Sequence, residues 1–294
     1  MSNLRNETLH LKDSLHMIDG IGKGKKHQSN LFVRTQVLGG YDRYVDNKGK
    51  TQLGEVCFEE ENMVLIGGVQ YALEQLLGVS GPINTGYLND SIGIGSQSTT
   101  TYNTGLPYPT GHKICLFGIG TGGAGDNITS VKDVKYNERE IVDMIPFRYT
   151  NDAFNAADED MYYGKKMIDG TQAFYLKRFD QEPEIKHFWK DGDIDEHEDG
   201  TEVDSTVFTS TREEKIETFA EILLTISKKD VKQWFDASEH IELSRVNSIG
   251  LFTGYYNEAD KDYEKIKEFS KLNIPTESLS LVKDLQIIYR LYGS

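Results

Sequence analysis

The residues with the clearest potential for chemistry are the glycines of KICLFGIGTGGAGDN, residues 113–127. Gly118, Gly120 and Gly123 satisfy G-x-G-x-x-G directly after an apolar strand, as a dinucleotide site requires. That motif also needs a helix whose N-terminus faces the pyrophosphate, and residues 126–140 lack an apolar stripe wide enough to pack on a sheet. We therefore favour a glycine-rich turn or intersubunit loop, and a nucleotide-binding enzyme built on this loop is the alternative.

The acidic run DGDIDEHEDGTEVD, residues 191–204, could supply carboxylate oxygens to a divalent cation. It does not fit the EF-hand loop. With Asp195 at the first position, Gly200 falls correctly at the sixth, but His197 occupies the third and Thr206 the twelfth. The sequence favours a solvated acidic segment over residues 180–204, and loose cation binding stays open.

Other catalytic patterns are absent from the sequence. The seven histidines never form a zincin pair, and His112 and His187 are expected to be ordinary polar positions. Cys57 and Cys115 stand alone in apolar stretches, which predicts two buried free thiols. We expect no enzyme activity, no cofactor and no metal.

Charge and hydropathy narrow the choice of partners. The 294 residues carry a formal net charge of −15, which argues against wrapping nucleic acid, because phosphate binding needs clustered cations. The basic cluster Lys23, Lys25 and Lys26 predicts a contact with an acidic neighbour. No apolar run approaches the length of a membrane-spanning helix, and the N-terminus lacks a secretory signal core, so cytosolic synthesis is expected.

The elements predict an α+β fold. Residues 1–30 are expected to form an N-terminal arm, and residues 31–205 a β-rich domain with one long helix over 58–78 and loop insertions. Residues 206–294 are expected to be a helical segment that completes the same domain or a packed second subdomain. The helices are predicted from two apolar stripes, Ile216, Phe219, Leu223 and Ile226, and Tyr263, Ile266 and Phe269. The chain is expected to close on a half-buried strand, because residues 285–291 alternate in polarity.

Three strings resemble structural proteins of contractile-tailed bacteriophages: ENMVLIGGVQYALEQLLGV, LFGIGTGGAGDNITSVKDVKYNEREIVDMIPFR and FSKLNIPTESLSLVKDLQIIYRLYGS. The resemblance implies a non-enzymatic virion protein, a subunit of an oligomeric ring in the neck, or head-to-tail connector. Its partners would be further copies of itself and portal, neck or tail subunits. It would be made in the host cytoplasm and kept in the virion.

A neck ring would have DNA passing through its channel. An acidic lumen would let DNA pass without sticking, with no sequence-specific contact and no membrane. A baseplate component or a binding appendage is the alternative, in which exposed Tyr102 and Tyr108 would hold a ligand.

The glycine loop is the expected interface, because backbones approach closely where side chains are missing. Substituting Gly120 or Gly123 by valine is expected to block assembly and leave a folded monomer. The predicted interface residues are Lys23, Lys25, Lys26, Gly118, Gly120, Gly122, Gly123 and Gly125.

Overall fold

Long antiparallel strands form most of the regular structure in the computed structural model of the chain. The structure describes residues 34–77, 88–89, 93–97, 108–125, 131–134, 144–189, 216–227, 229–237, 245–278 and 283–292. The strands are β1 (Arg34–Val45), β2 (Thr51–Glu60), β3 (Met63–Val64), β4 (Leu88–Asn89), β5 (Gly93–Gln97), β6 (Lys113–Gly120), β7 (Met144–Ile145), β8 (Arg148–Tyr149), β9 (Tyr162–Ile168), β10 (Thr171–Arg178), β11 (Glu184–Trp189), β12 (Ile216–Ile226), β13 (Arg245–Asn257), β14 (Asp262–Ser278) and β15 (Leu285–Tyr292). The helices of the described residues are α1 (Ile66–Leu77) and α2 (Lys232–Ala237).

Two large sheets organise these strands. Sheet A has the order β11-β12-β15-β1-β2. Sheet B has the order β3-β14-β13-β6-β10-β8, with β7 paired to β6 and β9 paired to β10. The short strands β4 and β5 pair with each other. The segments 31–205 and 206–294 each contribute strands to both large sheets.

A shared apolar core joins the two sheets. It takes Ile222, Ile287 and Tyr289 from sheet A and Phe117 and Ile249 from sheet B, with further strand residues around them. On β15 the residues that enter this core are spaced by two, at positions 285, 287, 289 and 291. This spacing is what one face of a pleated strand provides.

Sheet A curls back on itself. Glu221 on β12 and Thr51 on β2 lie three strand spacings apart in the sheet order, about 14 Å in a flat sheet. Their side-chain oxygens are nevertheless 2.5 Å apart, and Lys186 Nζ on the edge strand β11 lies 3.4 Å from Thr51 Oγ1. The β1–β2 hairpin must therefore bend and fold across the face of sheet A that points away from the shared core.

The bend in this hairpin lies at Gly39 and Gly40, where the β1–β2 register shifts. A Cβ on Gly40 would lie 1.9 Å from the carbonyl oxygen of Glu55, so only glycine fits there. Asp42, just beyond, has a φ of 59°, in the left-handed region. We call residues 42–54, beyond the bend, the distal hairpin.

Sheet B curls in the same way. Tyr163 on β9 and Tyr263 on β14 are four strand spacings apart in the sheet order, about 19 Å if the sheet were flat. Their rings are 4.7 Å apart, within a second apolar cluster that includes Leu116 and Phe252. Each sheet thus has an interior of its own beside the shared core.

The prediction of an α+β fold with a helical C-terminal third is wrong. Residues 216–226 form β12, and the stripe Tyr263, Ile266 lies in β14. Within 206–294, the described helix is α2, of six residues. The fold is β-rich, with mostly antiparallel sheets.

Bulges explain why the buried residues of β14 recur with a helix-like spacing. The β13–β14 register gains one residue on β14 between Glu264 and Lys267, and another between Glu268 and Ser270. Each bulge sets two residues against one on the partner strand, so buried positions recur every three residues and imitate a helix.

β12 was predicted as a helix for another reason. Phe219 and Leu223 fill the interior of sheet A, and intervening residues enter the shared core, so no polar face reveals the strand.

The first half of the chain contains the predicted helix. The strands β1 and β2 before it are joined by a turn, in which Asp46 Oδ1 accepts hydrogen bonds from the amides of Lys48 and Lys50. The predicted helix begins at Ile66 rather than at residue 58, because residues 58–60 belong to β2. A Cβ on Gly68 in this helix would lie 2.1 Å from the Phe269 carbonyl oxygen, so glycine allows β14 to approach the helix closely.

The closing strand is also confirmed, although β15 is buried on both faces and lies between β12 and β1 in the middle of sheet A. The two cysteines differ from the prediction in part. Cys115 is buried, and this burial raises the pKa of its thiol to about 12. Cys57 is exposed.

Tyr289 gives a test of the shared core. Its ring is fully buried, and among the described residues its hydroxyl has no hydrogen-bond partner. Removing an unsatisfied buried hydroxyl relieves a desolvation cost, so Tyr289→Phe should raise the free energy of unfolding by about 1 kcal/mol. Tyr162→Phe is the control, because the Tyr162 hydroxyl donates to Asp230 at 2.6 Å, and its loss should destabilise the protein. Urea unfolding measures both, and a destabilised Tyr289→Phe would contradict the packing described here.

Candidate functional site

The glycine loop begins inside sheet B. Gly118 and Gly120 are residues of β6, which runs between β13 and β10. A Cβ on Gly118 would lie 2.5 Å from Met144 Cε and 3.1 Å from the Phe252 ring. Packing within the chain therefore accounts for the missing side chain at Gly118.

Gly123 is held by the two longest strands of sheet B. Its amide donates to Asn247 Oδ1 on β13 at 2.7 Å, and its carbonyl accepts from the Lys132 amide at 2.9 Å. Asn273 on β14 donates to the Lys132 carbonyl at 2.8 Å. A Cβ on Gly123 would lie 2.0 Å from the Asn247 carbonyl oxygen, so the expectation of a folded Gly123→Val monomer needs revision.

The remaining predicted interface residues divide into two groups. Gly122 is half-buried and Gly125 is exposed, and an interface role for the loop stays a prediction. Lys23, Lys25 and Lys26 lie outside the described residues.

The dinucleotide interpretation requires a parallel strand-turn-helix unit. β6 pairs antiparallel with both β13 and β10. Past the loop, Ala124 and Val131 form an antiparallel bridge, and the described residues 131–134 contain no helix. Residues 126–130 and 135–143 lie outside the described part of the chain, as does the acidic run 191–204. The prediction of a solvated segment from residue 180 is wrong at its start, because Glu184–Trp189 forms β11 and buries Phe188 and Trp189.

A first cluster of buried polar side chains connects the shared core to α2. Lys177 Nζ donates to Asp230 Oδ2 and to the Thr225 carbonyl, each at 2.7 Å. Tyr162 and the Ser227 amide also donate to the Asp230 carboxylate. Because these bonds saturate a nearly fully buried ion pair, the cluster fixes the chain between β12 and α2.

A second cluster lies between α1 and β14. Tyr71 donates to His112 Nδ1 at 2.9 Å, and His112 Nε2 lies 2.9 Å from the Lys265 carbonyl oxygen, which assigns the ring proton to Nε2. Burial lowers the pKa of His112 to about 4, so the ring is neutral. The imidazole therefore joins the two elements as a neutral hydrogen-bonding group.

Tyr108 extends this second cluster. Its hydroxyl donates to Glu74 Oε2 at 2.5 Å and accepts from Lys267 Nζ at 3.2 Å, and its ring stacks on His112. Burial lowers the pKa of Lys267. Tyr108 is half-buried and engaged within the chain, which differs from the exposed ligand platform of the appendage alternative; Tyr102 lies outside the described residues.

A third cluster lies in the interior of sheet A beneath the distal hairpin. Glu221 is 2% exposed and accepts from Lys186 Nζ at 2.7 Å and from Arg290 Nε at 3.3 Å. Thr51 completes it, since its hydroxyl donates to Glu221 and its carbonyl accepts from Arg290. No motif in the sequence marks these residues. A glutamate within FAEILL and an arginine within IYRLY, charges inside apolar strands, were the available signal.

These clusters bind the chain to itself. Among the described residues, no group of three or more histidine, cysteine or acidic side chains is placed to hold a metal ion. Nor does any described helix have the length and apolarity to cross a membrane.

Comparison with known proteins gives no relative: no family model, no curated protein and no solved structure matches the chain.

The Gly123 geometry predicts a stability effect. Gly123→Ala should lower the free energy of unfolding by about 1 to 3 kcal/mol, because a Cβ has no space beside Asn247. The exposed Gly125→Ala is the matched control and should change stability little. Thermal unfolding of the isolated subunit measures both. A Gly123→Ala subunit of unchanged stability that fails to associate would contradict the packing argument and favour an interface role.

His112 predicts a pH dependence. Its pKa is lower in the folded protein than in the unfolded chain, so the stabilisation is fully present above about pH 6.5 and is lost as pH falls towards 4. The loss can reach about 3 kcal/mol. His112→Gln should flatten the pH dependence of urea midpoints between pH 5 and 7. A His112→Gln protein that keeps the wild-type slope would contradict this assignment.

Proposed function

We propose that the chain is a non-enzymatic structural subunit of a contractile-tailed phage particle, one copy of an oligomeric ring in the neck between head and tail. The resemblance of three sequence strings motivates the proposal. The first string, residues 61–79, includes β3 and α1, and the third, residues 269–294, includes part of β14 and all of β15. β14 belongs to sheet B and β15 to sheet A, so the strings include strands of both large sheets.

The proposal rests on one observation, the exposure of large apolar side chains on the edge strands of sheet A. Ile185 on β11 is 73% exposed and Val56 on β2 is 54% exposed, and these strands are the two edges of sheet A. Tyr44 and Val45 are exposed on the distal hairpin, and Met167 on β9. Edge strands with exposed apolar side chains are sites at which other strands pair.

The two edges of sheet A differ in sequence, which suits a heterologous interface. Contact of the β2 edge of one copy with the β11 edge of the next gives each copy two different faces. Repetition around an axis closes a ring. The net charge of −15 fits a channel that repels the phosphates of passing DNA.

A charge on each edge tests the proposal. Ile185→Lys and Val56→Lys should reduce the mass of the assembled protein measured by light scattering, because a lysine at an edge opposes strand pairing. Both side chains are exposed, so the unfolding temperature of the subunit should change little. Leu73→Lys is the matched control, since Leu73 is an exposed apolar side chain on α1 and not on a strand of sheet A.

Two results would contradict the proposal. The first is a wild-type protein that stays monomeric, both alone and mixed with portal or tail proteins. If that monomer also gains thermal stability with NAD or ATP, the nucleotide-binding alternative takes its place. Co-assembly with baseplate rather than portal proteins would move the subunit to the other end of the tail.

A further inference from the structure

The distal hairpin, residues 42–54, is held on sheet A chiefly by polar contacts. The apolar layer beneath it consists of Leu38, Leu53, Leu223 and Ile288, to which the hairpin contributes Leu53. The other contacts include ion pairs, hydrogen bonds and a cation–π contact, in which Lys50 Nζ lies 5.5 Å from the centre of the Phe188 ring and 5.9 Å from that of Phe219. Arg43 Nη2 lies 2.9 Å from Asp180, and the Thr51 hydroxyl donates to Glu221.

The bend that folds this hairpin back is strained and open to solvent. Asp42 adopts a left-handed φ of 59°, which non-glycine residues rarely adopt. The four residues Gly54 to Cys57 on the returning strand are all exposed, so neither face of β2 is packed there. An ion pair of Lys283 with Asp42, at 2.7 Å between exposed side chains, spans the bend. Straightening the bend relieves the strain at Asp42 and breaks few apolar contacts.

The face beneath the hairpin is incomplete without it. Glu221 and Arg290 are 2% and 3% exposed. The Thr51 hydroxyl donates to Glu221, and Arg290 donates to the Thr51 carbonyl. Water would reach this buried pair if the hairpin left and nothing replaced it. Another copy of the chain carries the same Thr51, Leu53 and Arg43, so its hairpin satisfies the face without any new contact.

We propose that the distal hairpin is exchanged between copies in the assembled protein, where it packs on the Glu221–Arg290 face of the neighbouring subunit. Thr51 of one copy then bonds Glu221 and Arg290 of the next, and Arg43 pairs with the neighbouring Asp180. Each copy gives a hairpin on one side and receives one on the other, which is a heterologous contact that closes as a ring. This inference rests on the proposed function, because it requires a ring of identical copies.

Cross-linking of mixed single-cysteine proteins tests the exchange. Lys50 Nζ at the hairpin tip lies 3.9 Å from Glu217 Oε2 at the start of β12, and both side chains are partly exposed. Lys50→Cys and Glu217→Cys are prepared separately in a Cys57→Ser background. They are then mixed in equal amounts, unfolded and refolded together, assembled, and treated with a short bismaleimide. Exchange predicts covalent dimers of one copy of each kind, at about one interface in four of a random mixture.

The control pair is Lys232→Cys with Asp236→Cys, an exposed ion pair within α2. Separately mutated copies of this pair should give no dimer. If the Lys50→Cys and Glu217→Cys copies assemble without cross-linking, while the double variant links within one chain, the exchange is wrong and the ring proposal survives. If no assembly forms and the double variant links within one chain, both are wrong.

Discussion

Burial of β15 on both faces is the constraint on which the rest of the structure depends. One face supplies Ile287 and Tyr289 to the core between the sheets, and the other supplies Ile288 and Arg290 to the interior of sheet A. A strand that carries an arginine into an interior needs an anion and hydrogen-bond acceptors, because an unpaired buried charge is costly. Glu221 provides the anion, and the Thr51 carbonyl provides an acceptor. The curl of sheet A follows, since Thr51 reaches that position only when the β1–β2 hairpin folds over the face.

The sequence predicts the parts of the fold whose signals are local. The turn after β1, the strand before the glycine loop and the alternating final strand all depend on residues within ten positions of each other. The close approach at Gly68 was also predictable, because a glycine pair in the middle of a helix needs a compensating neighbour. The strands of the C-terminal third were not predictable, since β12 has no solvent face and β14 has bulges that stretch its period to three. Both properties arise from the way each strand pairs and packs with other strands, which periodicity along the chain does not report.

The candidate site likewise has features that local sequence reveals and features that depend on distant residues. A glycine-rich motif was visible in the sequence, but its meaning depends on Asn247 and Asn273, which lie more than 100 residues away and hold the loop within the subunit. Charged residues inside apolar strands proved the better indicator of where polar chemistry is concentrated. Glu221 and Arg290 are a pair of this kind, and Lys177, within AFYLKRF on β10, pairs with Asp230 in the turn before α2. Such pairs favour one arrangement of neighbouring strands, which suits a subunit that must present the same edges in every copy.

In the proposed ring, identical copies associate through the edges of sheet A. Electron cryomicroscopy of the wild-type protein at the concentration of assembly is the decisive measurement. We expect closed rings in which β2 and β11 of adjacent copies lie at each subunit boundary. Dispersed single subunits at every concentration, or rings whose boundaries leave both edges of sheet A in solvent, would contradict it.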